Sequence, residues 1–209
     1  MNKYLSLVMM TRLLNLPYIE KYGGVVQTIQ KVIPGTGDNG KAIVKRIPIS
    51  AVHEAPANCD LTEATSIHFI PEGKLKGLLY FEDGGSVMEP GKRHTGLTFW
   101  RSRLRLVVWM NQKLLKETFD IELGSVAMNE MISLLCTKPV NYDVFKNMAV
   151  RVASIPPATS SLFSEYDYNE KETQFLMPPY DFFAIDLDVF FGIPKGCKVP
   201  VVPDPNPTC

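Results

Sequence analysis

The sequence predicts an α+β fold, mainly β: an antiparallel β-sandwich or partly closed barrel with a few short helices and extended termini. Three observations predict it. Short apolar runs are separated by many of the 16 prolines and 14 glycines, a pattern of frequent turns rather than of long helices. The stretches 97–110 and 180–193 alternate with a period of two, as strands do. Hydrophobic residues make up 45% of 209, enough for one domain to bury a core. The expected organisation is an N-terminal arm over 1–24, one β-rich domain over 25–193 and a proline-rich tail over 194–209.

Taken in order, Leu5, Val8, Met9 and Leu13 are spaced for one face of a short helix over 4–14, which Pro17 and Gly23-Gly24 bring to an end. Leu14, Leu16, Tyr18 and Ile19 extend the apolar surface, so the arm must dock on its own domain or on a neighbouring subunit. The β-branched runs VVQTIQKVI (25–33) and KAIVKRIPI (41–49), with PGTGDNG between them, predict a hairpin. Pro48 lacks an N–H, which places the second strand at an edge or ends its pairing there. SIHFIP, GLLYFED and GGSVMEP follow as three short strands, divided at Pro71–Gly73 and at Asp83–Gly85.

In LTFWRSRLRLVVWM (97–110), Phe99, Arg101, Arg103, Arg105, Val107 and Trp109 share one face, and Trp100, Leu104, Leu106, Val108 and Met110 the other. A helical pattern follows through Lys116. A second helix spans 125–136, with Ser125 as N-cap and Val126, Met128 or Asn129, Ile132 and Leu135 along one side. Residues 144–155 return to a strand, 156–179 form a polar and aromatic excursion bounded by proline pairs, and 180–193 form the last strand. There Phe183, Ile185, Leu187, Val189 and Phe191 point one way, and Asp186 and Asp188 the other.

Charge and cysteine content narrow the function. Twenty-two basic residues against 22 acidic ones leave no net charge to coat a phosphate backbone or an anionic membrane. Four cysteines lack a CxxC, and His53, His68 and His94 are scattered, so no metal or cofactor is expected. Synthesis in a reducing cytoplasm, without a secretion signal or spanning helix, is the simplest expectation, because Arg12 interrupts the apolar stretch 5–10.

The candidate motifs are each weighed against a plainer reading. Gly35 to Lys41 satisfies both GxGxxG and GxxxxGK, yet a strand follows where a helix is required, and Ala42 stands where a phosphate loop needs Ser or Thr; a hairpin tip is the better reading. Asp186 and Asp188 lie two apart on a strand and are the one anchor for a divalent cation, with no third ligand evident from spacing and Asp181 on the opposite face. His53, Glu54, Cys59, Glu63 and His68 match no zinc spacing, and Cys136 reads as a small buried hydrophobe. Arg101, Arg103 and Arg105 on one β face repel unless paired: a phosphate or acidic-partner surface is one reading, and, given zero net charge, salt bridges to acidic residues of an adjacent strand, Asp186 and Asp188 among them, or of a neighbouring subunit are the better one. These five residues are the candidate subunit-interface set.

The ordered segments LLNLPYIEKYGGVVQTI, KRIPIS, GLLYFEDGGS, RLRLVVWMNQKL and YDFFAIDLDVFFGIPKGC resemble virion structural proteins of crAss-like tailed bacteriophages, in which ring proteins stack beneath the portal. The resemblance covers most of the chain and implies no catalytic residue. It implies a head-to-tail connector in the virion neck or tail: a subunit of a closed homo-oligomeric ring of about twelve copies. Its partners would be the portal protein and adjacent ring or tail proteins, with DNA passing through the lumen and no membrane involved. The arginine and aspartate strands would supply complementary patches, and the arm and tail would strap neighbours. The alternatives are a soluble β-rich binding module or another phage tail component, and third a metal-dependent enzyme using Asp186 and Asp188.

Overall fold

The structure is a computed structural model that describes residues 1–33, 43–51, 66–89, 96–119, 124–137, 141–142, 145–168 and 173–195. Helix α1 (Asn2–Leu13) leads to strands β1 (Lys21–Val25), β2 (Gln27–Ile33), β3 (Ile43–Ala51), β4 (Ser66–His68), β5 (Gly77–Met88) and β6 (Leu97–Asn111). Helices α2 (Gln112–Phe119) and α3 (Gly124–Leu135) follow, then β7 (Lys146–Ser154) and β8 (Tyr180–Pro194). The fold is α+β, mainly β. Among the described residues the strands make two open sheets, one ordered β1-β5-β6-β8-β7 and one ordered β2-β3-β4, and no barrel closes. All pairings are antiparallel except β1 with β5, which is parallel.

The two alternating stretches form the centre. β6 and β8 are 15 residues each and pair along their whole length, from Leu97 opposite Pro194 to Asn111 opposite Tyr180. Their even- and odd-numbered apolar residues, Leu104, Leu106, Val108 and Met110 with Phe183, Ile185, Leu187, Val189 and Phe191, make one continuous core with α1 and α3. Burial of this kind, at roughly 25 cal/mol per Å² of apolar surface, is the principal stabilisation available to the sheet.

The first 24 residues dock on their own domain and belong to its core. Leu5, Val8, Met9 and Leu13 are all buried, and β1 is a strand of the main sheet. Polar groups fix the helix in place. The Ser6 hydroxyl donates to the Lys3 carbonyl at 2.7 Å and accepts from the Val25 N–H at 2.9 Å. Arg12 donates to the Leu135 carbonyl at 2.8 Å, placing a cation at the C-terminus of α3 where its dipole is negative.

Three further expectations are corrected by the packing. The segments GLLYFED and GGSVMEP are one strand, β5, because Asp83-Gly84-Gly85 forms a bulge rather than a turn: the pairing with β6 shifts register between Asp83 and Ser86. Gly85 has φ +87, a conformation open to glycine at little cost, and its N–H bonds the Asp83 carboxylate at 2.7 Å. Pro48 does not place its strand at an edge, since β3 is the middle of three. It sits where β3 passes from pairing with β2 to pairing with β4, and its free carbonyl accepts from Phe69 N–H at 2.9 Å. Helix α3 buries Ala127, Met131 and Leu135 at a spacing of four, leaving Val126 54% exposed, so its core face is rotated from the one expected.

The hairpin of β2 and β3 forms as expected, Gln27 opposite Ile49 through Ile33 opposite Ile43. Its glycine-rich tip at 35–41, the segment holding His53, Cys59 and Glu63, His94, and the tail beyond 195 lie outside the described residues.

Candidate functional site

The opposite face of the main sheet is divided into two halves. At one end Val107 and Trp109 of β6, Leu78 and Tyr80 of β5, and Phe182 and Ala184 of β8 are sealed by Phe69 and by Leu162, Phe163 and Tyr166 from the excursion between β7 and β8. Trp109 donates its indole N–H to the Phe175 carbonyl at 2.6 Å and stacks on Tyr180 at 5.3 Å. At the other end the same strands carry Arg101, Arg103, Arg105, Asp186 and Asp188, which the apolar cluster does not reach.

The structure brings all five sequence-predicted residues together within one chain. β6 and β8 are neighbours, so Arg103 faces Asp188 and Arg105 faces Asp186 in register. Arg105 donates from Nε to Asp186 at 2.7 Å, and the Ser154 hydroxyl donates to the other oxygen at 2.6 Å. Asp188 takes its short contact diagonally, from Arg101 at 2.6 Å, while Arg103 Nε stands 3.8 Å from its second oxygen. Arg103 is therefore the outward member, its side chain 68% exposed. Arg101 and Arg151 both lie over the Phe190 ring, at 5.8 and 5.3 Å, which gives the arginines an apolar bed.

Two sets of groups complete the site. Glu82 of β5 lies opposite Arg105 and accepts a hydrogen bond from the Tyr166 hydroxyl at 2.8 Å. Beside Tyr166, Asp167 clamps Arg46 of β3, accepting from Nε and from a terminal nitrogen at 3.1 Å each and from the Arg46 backbone N–H at 2.9 Å. That clamp ties the hairpin to the segment between β7 and β8, and Val26 and Thr28 with Glu165 and Tyr166 line a concavity of about 610 Å³. The five charged residues of β6 and β8 lie within it.

Proton affinities follow from these contacts. Burial raises the Glu82 carboxyl, an effect the Tyr166 hydrogen bond and Arg105 only partly oppose. Burial also acts to raise Asp186, but the hydrogen bonds from Arg105 and Ser154 outweigh it and hold that carboxyl below its ordinary value. The Asp186 hydrogen bond in turn raises Arg105, against desolvation. Tyr166 is raised by burial and by the adjacent Glu82.

Both carboxylates proposed for a cation already hold guanidinium groups, and among the described residues no group of three or more His, Cys, Asp or Glu side chains is placed to hold a metal. Asp181 is turned away from the pair and accepts from Gln112 at 3.3 Å beside the start of α3. His68 lies half-buried in β4, and Cys136 packs half-buried against the core, its thiol raised by burial. No helix among the described residues is long and apolar enough to cross a membrane.

The alternation in β6 and β8 was sufficient to find the five charged residues, whereas Glu82, Ser154, Glu165 and Tyr166 carry no sequence signal: they join the site through strand order and through a loop with no period. No protein-family model matches the chain, and no curated protein is significantly similar to it.

Proposed function

We propose that this chain is a structural virion protein, a subunit of a closed ring of about twelve copies that connects the phage portal to the tail and encloses the DNA exit channel. The geometric observation that carries the reading is the half-covered sheet face. Two 15-residue strands extend past the apolar loop that seals one end, and the open end presents charges matched to one another rather than a nucleophile and its base. A face of this sort suits contact with another chain. The identity of that assembly rests on the ordered segments that resemble crAss-like ring proteins.

Arg101, Arg103, Arg105, Asp186 and Asp188 are one self-paired surface, so they cannot serve as the two separate complementary patches of a head-to-tail ring contact. They supply one side of such a contact. The exposed Arg103 is its leading group, and reversing the charge of Arg103 together with Arg105 should abolish ring assembly.

The mass of the purified chain in solution tests the reading, alone and with the portal protein of the same phage. A ring-sized particle, or one that forms on the portal, is the expected result. A monomer or dimer that leaves the portal bare would favour the alternative, a β-rich binding module.

A further inference from the structure

We infer that the concavity at the open end of the sheet is a socket for one lysine or arginine side chain presented by another protein chain. The inference uses the connector reading for where that chain sits in the particle, and the structure of the concavity for the chemistry. Three observations carry it.

The first is charge. The lining holds five carboxylates, those of Glu82, Asp83, Glu165, Asp186 and Asp188, against three guanidiniums, a formal excess of two negative charges. A phosphate or carboxylate ligand would add to that excess, whereas a cation offsets it.

The second is an incompletely satisfied acceptor. Asp188 is 8% exposed and lines the concavity, yet its Oδ1 accepts no hydrogen bond. The closest cation, Arg103 Nε at 3.8 Å, is beyond hydrogen-bond reach. A buried carboxylate oxygen left in that state is costly, and an added N–H donor would relieve it. Arg103, being 68% exposed, can move aside without breaking a close contact of its own. Glu82 is in a related position: it is half-buried, its Oε1 accepts from Tyr166 at 2.8 Å, and its Oε2 stands 4.0 Å from Arg105.

The third is shape. The charges lie at the base of a concavity walled on one side by Val26 and Thr28. A long side chain that lays methylene groups along such a wall and carries its charge at the tip fits, because lysine and arginine stems bury readily while their ends stay polar. A bare metal ion fits less well, since Arg105 and Ser154 already occupy both oxygens of Asp186.

The test is titration of the full chain with acetyl-Gly-Arg-Gly-amide, followed through backbone amide NMR shifts, with the Gln and Asp versions of the peptide as controls. The expected result is saturable binding in the millimolar range or tighter, with shifts confined to residues around Glu82, Tyr166, Glu165 and Asp188. Glu165→Gln, a change at an exposed rim position, should weaken it several-fold, and Glu82→Gln with Glu165→Gln roughly tenfold or more. Shifts no larger than those from the Gln peptide, tighter binding of the Asp peptide, or indifference to both variants would overturn the inference. Ring formation is scored separately by imaging. Rings without peptide binding would defeat the socket alone, and peptide binding without rings would defeat the connector reading alone.

Discussion

The two ends of the β6–β8 pair differ in what the odd-numbered residues of β6 and even-numbered residues of β8 are, and the contrast explains how each end of this face is stabilised. At the sealed end Val107, Trp109, Phe182 and Ala184 are buried by the loop that carries Leu162, Phe163 and Phe175. At the open end Arg101 pairs with Asp188 and Arg105 with Asp186 across the strands, while Arg103 stays exposed to water. Backbone pairing is continuous through both. Free energy of folding is therefore concentrated where the side chains are apolar, and the exposed ion pairs of the charged end add little to it.

That contrast can be broken most strongly at Trp109. Trp109→Ala removes a fully buried ring and its hydrogen bond to Phe175, and should cost about 3–5 kcal/mol in chemical denaturation. Gly77→Ala comes next. A Cβ there would lie 2.6 Å from the Tyr18 carbonyl and 3.1 Å from that of Trp109, so strand β5 must shift, at about 1–3 kcal/mol. At the open end Arg105→Ala should cost only about 0.2–1 kcal/mol, since its side chain is 40% exposed and water screens the pair. Arg103→Ala should fall within about 0.5 kcal/mol of the parent protein while weakening assembly. A loss at Arg103 as large as at Trp109 would show the two ends to be energetically alike.

pH sharpens the same contrast within the open end, because two of its carboxyls, Asp186 and Glu82, are shifted in opposite directions. Asp186 is depressed in the folded state, so its stabilisation is present above the ordinary value of 3.8 and is lost as pH falls below it. Glu82 is raised, so folding is favoured below its ordinary value of 4.5, and that contribution is lost as pH rises through the elevated folded value. Glu82→Gln should therefore remove the part of the stability curve that falls as pH rises just above 4.5, and Asp186→Asn should flatten the acid limb. Denaturation curves across the acid range read both.

Much of this fold was legible in the sequence where periodicity was long. Fourteen alternating residues located β6, and the same pattern placed Phe183 through Phe191 in the core and Asp186 and Asp188 on the other side. Legibility failed where a local signal had two physical solutions. Asp83-Gly84-Gly85 suits a turn or a bulge equally, and only pairing with β6 on both sides of it selects the bulge. Leu5 to Leu13 requires a docking surface without saying whose, and the answer lies with the distant Leu135 and Val25. The charged residues could be found from alternation, but their being one paired surface depends on β6 lying beside β8, a fact of strand order that no local pattern carries.

The connector account is tested most directly by electron microscopy of the full chain mixed with its portal protein. It predicts closed rings in which a neighbouring chain covers the open end around Arg103, Asp188 and Glu165. Single particles with that face bare in solvent, and portals without an added ring, would contradict it.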